Sequence, residues 1–389
     1  MFELLFLLLP VAVGYGWFMG RNSIKQKDQN EKSSLSIKYS TGLNYLLSNQ
    51  QDKAMEYLLE ALTVEDDTVE AHFAMANLFR RKGELDRALK VHEHLVRQPM
   101  LSDKEKQQAL FELGRDFYSA GLYDRAETLF HKLLKSKTYS IKSLTYLMQI
   151  YQSTKDWHRG IDLEKSVLKS KDKKLKHVLA NFYCELANIA IKDNEYIKEL
   201  ELLQTALELD PKSSRANYLM AQVFENSEQY NDACRCYREI FYQDQEFFPD
   251  VIDKMQNCYQ RSDIGDEFYP FIKQVFDKTG STSALIKYLE FIEQTQSKQK
   301  AEEYILSALN RRPTIRGFKH FVKMQLNENL DDKTHQSLDV IKELVAAYLN
   351  IRPRYTCKNC GFNSSVHYWS CPSCHDWEQL KPVRGLEGE

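Results

Sequence analysis

The feature that most constrains this chain is a spacing of 34 residues that recurs through most of its length. The stretch GLNYLLSNQQDKAMEYLLEAL around Ala54 and the stretch ANLFRRKGELDRALKVHEHLV around Ala88 carry small and aromatic residues at matching places. A fixed period of this size is typical of stacked helical hairpins, because one hairpin alone cannot bury its apolar face. The sequence therefore predicts an all-α array of helix pairs.

The second helix of each predicted pair has a small or equivalent residue that can be aligned from repeat to repeat. The aligned positions are Ala54, Ala88, Ala126, Gly160, Glu199, Ala233, Glu267 and Ala301. The intervals are 34, 38, 34, 39, 34, 34 and 34 residues, so that extra residues fall near 99–106 and 169–177. Small residues are expected at these points because the two helices of a hairpin cross closely there.

This pattern resembles that of tetratricopeptide repeat proteins over residues 35–350, as about nine helix pairs. The resemblance is weaker where Gly160 and Glu267 replace alanine, and the ninth pair is degenerate, as a terminal repeat should be. It implies a superhelix whose first helices line a concave, partner-binding face. The inward polar positions that we expect to bind a partner, or otherwise to solvate these helices, are Asn77, Arg80, Arg115, Tyr118, Gln149, Gln222 and Glu225.

Two Cys-x-x-Cys pairs lie near the end of the sequence, ten residues apart. Their four members are Cys357, Cys360, Cys371 and Cys374. Four thiolates at this spacing form a tetrahedral shell that suits one iron or zinc ion. Gly361 follows the second ligand, where such a turn requires positive φ, and His375 holds the equivalent place in the other pair.

The predicted metal-binding domain, residues 351–389, is too short to bury a useful core by itself. Metal binding is therefore expected to supply much of its folding free energy. Tyr368, Trp369 and Trp377 flank the ligands and exceed what so small a unit can bury. We expect some of these aromatic side chains to pack on the last repeats.

Composition and motifs exclude several classes of function. Lys and Arg number 53 against 55 Asp and Glu, so no strongly basic face indicates nucleic-acid binding. No catalytic motif is present, and the spacing of His92 and His94 does not suit a helical metal site, so we interpret that segment as solvated surface. The other four cysteines, Cys184, Cys234, Cys236 and Cys258, are interpreted as packing residues in a reducing compartment.

Residues 1–20 are almost entirely apolar and long enough for a transmembrane helix. The alternative is a cleaved signal peptide, but no basic residue precedes the apolar run and no small-residue cleavage site follows it. Basic residues after the span place the remaining chain in the cytoplasm by the positive-inside rule, beyond a polar linker at residues 21–34. Ala12, Gly16 and Gly20 form a row of small residues suited to packing against another membrane helix.

A lysine-rich run at residues 169–176 falls in the second of the two longer intervals. Two interpretations remain open for it. It is either a solvated loop or a contact for anionic lipid or an acidic partner.

The combination of an apolar N-terminal span, the repeats and the CxxCG…CPxC segment resembles the lipopolysaccharide assembly protein B family of Gram-negative bacteria. The resemblance implies a single-pass inner-membrane protein that faces the cytoplasm, with a rubredoxin-like unit in which Cys357, Cys360, Cys371 and Cys374 bind iron or zinc. It implies an adaptor that helps a membrane-bound AAA zinc protease degrade the lipid A pathway deacetylase.

The same resemblance implies contacts with lipopolysaccharide assembly proteins and restraint by an inner-membrane sensor protein. The alternative function is a rubredoxin-like redox or electron-transfer protein on a repeat scaffold. The ten-residue spacer is much shorter than in rubredoxins, which argues against electron transfer. The oligomeric state stays open, and a homo-oligomer is one alternative.

Overall fold

The computed structural model describes residues 69–99, 101–192, 196–326 and 331–389, with isolated positions between 15 and 57. The chain divides into two compact units, residues 1–150 and 151–389. No helix among these described residues is both long enough and apolar enough to cross a membrane. The predicted membrane helix and linker lie almost wholly outside the described residues, as do Ala12 and Gly16, whereas Gly20 is helical and exposed.

Both units are built mainly from consecutive helices that pack as hairpins. The first contains α1 (Val69–Arg81), α2 (Leu85–Arg97), α3 (Asp103–Ser119) and α4 (Tyr123–Leu133), and the unit boundary falls within α5 (Ser140–Thr154). The second contains α6 (Trp157–Ile161), α7 (Glu164–Ser170), α8 (Lys173–Lys192), α9 (Tyr196–Leu209), α10 (Ser214–Asn226), α11 (Tyr230–Gln243), α12 (Ile252–Arg261), α13 (Phe268–Thr279), α14 (Thr282–Thr295), α15 (Lys298–Arg311), α16 (Ile315–Leu326) and α17 (Asp332–Ile351). Short 3-10 turns at Phe248–Asp250 and Gly265–Glu267 precede α12 and α13.

In the first unit the small residues of the repeat lie where paired helices cross. Ala76, Ala88 and Ala126 are fully buried. A Cβ atom at Gly114 would lie 2.8 Å from Cε1 of Phe130, so the helices approach too closely there for a larger residue. The fold thereby confirms the reason that the sequence repeats small residues.

A buried ionic network joins three helices of the first unit. Nδ1 of His92 lies 2.5 Å from Oδ2 of Asp116, and Arg80 donates to Oδ1 of the same carboxylate at 2.7 Å. Both His92 and Asp116 are fully buried, whereas His94 is exposed. The interpretation of His92 as solvated surface is wrong, because its position on α2 faces α3 of the next repeat.

The second unit explains why glycine replaces alanine in the fourth repeat. The Phe182 ring of α8 passes directly over Gly160, and a Cβ atom there would lie 2.3 Å from Cδ2 of the ring. Ala187, Ala221 and Ala233 occupy the corresponding crossings of neighbouring helices and are fully buried. The departure from the repeat pattern therefore makes room for an aromatic side chain.

Two of the aligned positions, Glu199 and Glu267, carry glutamate, and one side chain is buried whereas the other is exposed. Glu199 is buried, both its carboxylate oxygens lack hydrogen-bond partners among the described residues, and burial raises its pKa to about 7. Glu267 is exposed in the turn before α13, where it pairs with Arg238 at 3.0 Å. The alignment at Glu267 is wrong, because the aligned residue is the fourth of its helix in the other described repeats, and the fourth residue of α13 is the buried Phe271.

The four cysteines outside the Cys-x-x-Cys pairs are buried and form no disulfide. Cys234, Cys236 and Cys258 belong to one apolar cluster of the second unit, and burial raises their thiol pKa values. Their predicted role as packing residues agrees with these positions.

A small antiparallel sheet follows the last helix. It consists of β1 (Tyr355–Cys357), β2 (Asn363–Ser364) and β3 (Leu380–Pro382), in the order β2–β1–β3. Cys357 pairs with Leu380 in the β1–β3 ladder. The sheet therefore places the first Cys-x-x-Cys pair beside the strand that follows the second pair. We call residues 354–382 the metal ribbon and residues 383–389 the tail.

Candidate metal centre

The four cysteines of the metal ribbon come together at one point. Their Sγ atoms all lie within 4.8 Å of one another. Cys357 and Cys374 are separated by 3.7 Å between sulfurs, and Cys360 and Cys371 by 3.7 Å. A tetrahedral site with metal–sulfur bonds of about 2.3 Å has edges of about 3.8 Å. The four sulfurs thus already have the spacing that one zinc or iron ion requires.

The two Cys-x-x-Cys pairs adopt the same backbone turn. The N–H of Gly361 donates to the carbonyl of Cys357 at 2.9 Å, and the N–H of His375 donates to the carbonyl of Cys371 at 2.9 Å. Gly361 has φ of 76° and His375 has φ of 59°, so both are left-handed as the sequence predicts. His375 is thereby a turn residue.

The four thiols differ in their surroundings. Cys357 and Cys371 are buried, Cys374 is half-buried and Cys360 is exposed. The backbone N–H of Phe362 lowers the pKa of Cys360 to about 7, whereas burial raises the pKa of Cys371 to about 12. A bound cation supplies the charge that holds all four as thiolates. Because four cysteines fill a tetrahedral shell, the site has the closed character of a structural metal centre.

Glu378 anchors the metal ribbon to the start of α10. One carboxylate oxygen accepts from the N–H and hydroxyl of Ser214 at 3.2 and 2.8 Å. The other accepts from the Ser213 hydroxyl at 3.1 Å and from the Asn181 amide at 3.3 Å. Ser213 in turn accepts from the N–H of Ala216 as the N-cap of the helix. The negative charge lies where the helix dipole favours it.

Glu389 makes the equivalent contact at α14, two 34-residue periods further along. It accepts from the Ser281 hydroxyl at 2.8 Å and from the N–H of Ser283 at 3.1 Å. Ser281 is the N-cap and accepts from the N–H of Ala284, as Ser213 does for α10. Arg316 also donates to Glu389, at 3.0 Å. Two carboxylates therefore hold the ribbon and tail on helix N-termini that are two repeats apart.

The tail reaches α14 by a tight turn that depends on glycine. Gly385 has φ of 106°, a backbone conformation that side chains disfavour. A Cβ atom at Gly388 would lie 1.7 Å from the carbonyl oxygen of Val383, so the two backbone segments touch. The N–H of Glu389 donates to that same carbonyl at 2.8 Å, which fixes the direction of its side chain.

The repeat that lies between α10 and α14 binds the ribbon and tail with the opposite arrangement of charge. There the loop before α12 is acidic and the ribbon and tail are basic. The contacts are Arg354 with Asp250 at 2.9 Å, Lys358 with Glu246 at 3.3 Å, Lys381 with Asp244, and Arg384 with the carbonyl of Gln245 at 3.0 Å. The ribbon and tail are thus complementary in charge to three successive repeats.

Aromatic packing completes the attachment. Trp369 lies 4.9 Å from Phe247 between ring centroids, and the Arg215 guanidinium lies 5.0 Å from the Trp377 ring centroid. Arg215 is almost fully buried and donates to Glu185 at 2.6 Å. The two tryptophans do pack on repeats, but on Trp157, Arg215 and Phe247 in the middle of the array, and not on the last repeats as predicted. Tyr368 remains 43% exposed.

The contacts extend well beyond the last repeats. Gln152 of α5 donates to the carbonyl of His375 at 2.5 Å, and Trp157 of α6 lies against Trp377 at 6.2 Å between centroids. The ribbon therefore spans the second unit from its first helices, instead of sitting at its end.

The positions predicted to bind a partner lie on first helices of their pairs, as expected. Asn77 and Arg80 are on α1, Arg115 and Tyr118 on α3, Gln149 on α5, and Gln222 and Glu225 on α10. Arg80 and Arg115 both bind Glu112, and Glu225 accepts from the Cys258 thiol at 2.7 Å. The bonds of Arg80 and Glu225 join two helices, whereas Arg115 and Glu112 lie on the same helix, and the role of the predicted positions in partner binding stays a prediction.

The carboxylates and serines that dock the ribbon are not among the site residues predicted from the sequence. Glu378 and Glu389 lie in no recognisable motif, and their partners are more than 100 residues away. One signal was available: Ser213-Ser214 and Ser281-Thr282-Ser283 recur two periods apart, just before first helices. N-cap serines are common, however, and the pattern does not reveal a second function.

Helix pairs with small residues at most crossings, joined through buried contacts to a four-cysteine ribbon, define a tetratricopeptide repeat scaffold with an integral metal centre. A family model described as a rubredoxin metal binding domain matches residues 355–382. Lipopolysaccharide assembly protein B of Escherichia coli strain K12 is 38% identical over 388 residues, which cover 100% of both chains. The protein of that name from Haemophilus influenzae is 31% identical over 395 residues, again covering 100% of both. The chain belongs to the lipopolysaccharide assembly protein B family.

Among solved structures, the C-terminal part of a tetratricopeptide repeat protein from Cytophaga hutchinsonii is similar to 70% of this chain and 94% of its own. The identity is 14% and the TM-score 0.39.

Proposed function

We propose that this protein is a non-enzymatic adaptor that regulates lipopolysaccharide synthesis at the bacterial inner membrane. In this proposal the repeats bind the lipid A pathway deacetylase and present it to a membrane-bound AAA protease for degradation. Membership of the lipopolysaccharide assembly protein B family supports a role in lipopolysaccharide assembly. The predicted contacts with assembly proteins and with an inner-membrane sensor belong to the same proposal.

The observation that carries the proposal is the integration of a closed metal centre into a repeat scaffold. Four cysteines complete the metal shell, so that substrate has no coordination position to take. Glu378 and Glu389 attach the ribbon and tail to helix N-termini through buried hydrogen bonds. An arrangement of this kind holds a binding surface in shape and needs no chemistry of its own.

The membrane anchor is the second part of the proposal. The apolar residues 1–20 and the basic residues that follow them support a single span with the repeats on the cytoplasmic side. Tethering the adaptor beside a membrane protease raises the effective concentration of the bound client. Exchange of residues 1–20 for an unrelated single-span helix separates anchoring from recognition of a partner helix.

The direct test is the steady-state level of the deacetylase in cells that carry Cys357→Ser/Cys360→Ser. The proposal expects the deacetylase to accumulate, because loss of metal releases the ribbon from the repeats. Cys236→Ser is the matched control, since it removes a buried thiol outside the metal centre. An unchanged deacetylase level, with the variant protein still present and helical, contradicts a role for the metal centre.

A further inference from the structure

A basic cleft of about 960 Å³ lies between α14, α16, α17 and the tail. Its cations are Arg316, Lys319, Lys323, Lys342, Arg352 and Arg354, and its carboxylates are Asp339 and Glu387. A cavity of this size suits a small ligand, and its charge favours an anion. None of the partner-binding positions predicted from the sequence lines it.

Most of the cations are already paired within the chain. The pairs are Arg316 with Glu389 at 3.0 Å, Arg352 with Glu387 at 3.2 Å, Arg354 with Asp250 at 2.9 Å, and Lys342 with Asp339 at 2.8 Å. Every arginine of the cleft thus holds a carboxylate, which suits the planar fork of the guanidinium.

Lys319 and Lys323 are the exception. They lie four residues apart on α16 and, among the residues that the structure describes, neither has an anionic partner. Like charges at this spacing on one helix face repel each other. Lys319 is half-buried in the cleft, and His320 beside it has a pKa lowered by burial and by Lys323. The cleft therefore contains two adjacent positive charges that no carboxylate of the described residues pairs with.

We propose that Lys319 and Lys323 bind the phosphate of a phosphomonoester ligand. Such a group carries about two negative charges near neutral pH, enough for both lysines, whereas a peptide carboxylate carries one. Lysine binds phosphate as a point charge, while the arginines of this cleft are occupied by carboxylates. Ile286, Leu326 and Val383 line the same cleft and provide apolar surface for the body of the ligand.

The phosphomonoester can come from a lipid headgroup or from a soluble metabolite, and two probes distinguish these sources. Glycerol 3-phosphate represents the soluble ligand. Dihexanoyl phosphatidic acid, used below its micelle concentration, represents the lipid. Dihexanoyl phosphatidylcholine has the same acyl chains but a zwitterionic diester headgroup, and it reports any binding that needs only the apolar part.

The experiment is titration calorimetry on the full-length, metal-loaded protein in a non-ionic detergent. We expect saturable binding of at least one phosphomonoester, weakened tenfold or more by Lys319→Gln/Lys323→Gln. The matched control is Lys132→Gln/Lys135→Gln, which removes two exposed lysines that do not line the cleft and should change the affinity less than twofold. Lys323→Glu alone, at an exposed position, is a second variant in case the first folds poorly.

The probe that binds identifies whether the phosphomonoester comes from a lipid or from a soluble metabolite. Binding of both phosphomonoesters indicates a soluble ligand, and binding of phosphatidic acid alone indicates a lipid. The proposal is overturned if neither phosphomonoester binds, if phosphatidylcholine binds equally well, or if both double variants weaken binding alike. Tighter binding of an acetylated Glu-Glu peptide would assign the cleft to an acidic protein segment instead.

Discussion

The carboxylate of Glu378 accepts both the backbone N–H and the hydroxyl of Ser214, across 164 residues of sequence. A loop of the metal ribbon thus completes the N-terminus of a repeat helix. Orphan N–H groups at a helix start need such an acceptor, and a negative charge there is favoured by the helix dipole. The ribbon is therefore part of the hydrogen bonding of the repeats themselves.

This contact predicts a specific loss of stability. Glu378→Ala should lower the free energy of unfolding by roughly 2–4 kcal/mol, because it leaves buried donors unpaired. Glu378→Gln keeps the shape and loses the charge, so the cost should be about 1 kcal/mol. Urea unfolding followed by tryptophan fluorescence measures both. Glu387→Gln is the control, since that residue pairs with Arg352 at a more exposed site; equal effects of Glu378→Gln and Glu387→Gln would contradict a special role for Glu378.

The close approach at Gly160 predicts a double-mutant effect. Gly160→Ala places a methyl group 2.3 Å from the Phe182 ring and should destabilise the second unit by about 1–3 kcal/mol. In a Phe182→Leu background the same substitution should cost clearly less, because the ring that it meets is gone. Urea unfolding of the wild type, the two single variants and the double variant gives the coupling free energy between the two residues. Additive effects would show that Phe182 is not the obstacle.

Glu199 predicts a pH-dependent destabilisation. Burial raises its pKa to about 7, so the folded state favours the protonated form more than the unfolded chain does. Stability contributed by this group is therefore lost as pH rises from about 4.5 towards 7, and it stays low above 7. Glu199→Gln should raise the free energy of unfolding by roughly 2–3 kcal/mol at pH 8 and by little at pH 4.5.

The measurement for Glu199 is urea unfolding of both proteins at the two pH values. Glu199→Ala, which restores the alanine found at this place in other repeats, should show the same pH trend. A gain that is equal at pH 4.5 and pH 8 would contradict the assignment, since a pH-independent effect does not come from the charge.

The metal centre predicts one iron or zinc ion per chain, held by all four cysteines. Cys360→Ser should lower the metal content even though this residue is the most exposed ligand, because a three-cysteine shell binds more weakly. Elemental analysis of protein purified without oxygen measures this, with Cys236→Ser as the control that keeps full occupancy. A visible spectrum on the same sample tests the redox alternative, which requires iron that cycles reversibly.

Two kinds of feature could be predicted from the sequence. The helix pairs follow from the 34-residue period, since small residues mark most crossings, and the metal ligands follow from local Cys-x-x-Cys spacing. Both patterns are short-range, so the residues that interact are close together or regularly spaced. The positive φ at Gly361 and His375 was predictable for the same reason.

The remaining features depend on contacts between distant residues. His92 is buried because it pairs with Asp116 of the next repeat. Glu378 is buried because the hydroxyls of Ser213 and Ser214 donate hydrogen bonds to its carboxylate. Glu267 was misplaced because a 3-10 turn shifts the start of α13, and periodicity alone does not register such a turn. Charged side chains in polar sequence give no sign that another segment will cover them.

We infer that the metal holds the ribbon in place as a cap on the repeat helices. Hydrogen–deuterium exchange at the first turns of α10 and α14, before and after removal of the metal with a chelator, tests it most directly. We expect the amides of Ser214 and Ser283 to lose protection when the metal is removed, because Glu378 and Glu389 leave with the ribbon. Unchanged protection at both turns would contradict it, and would show that the repeats cap themselves without the metal ribbon.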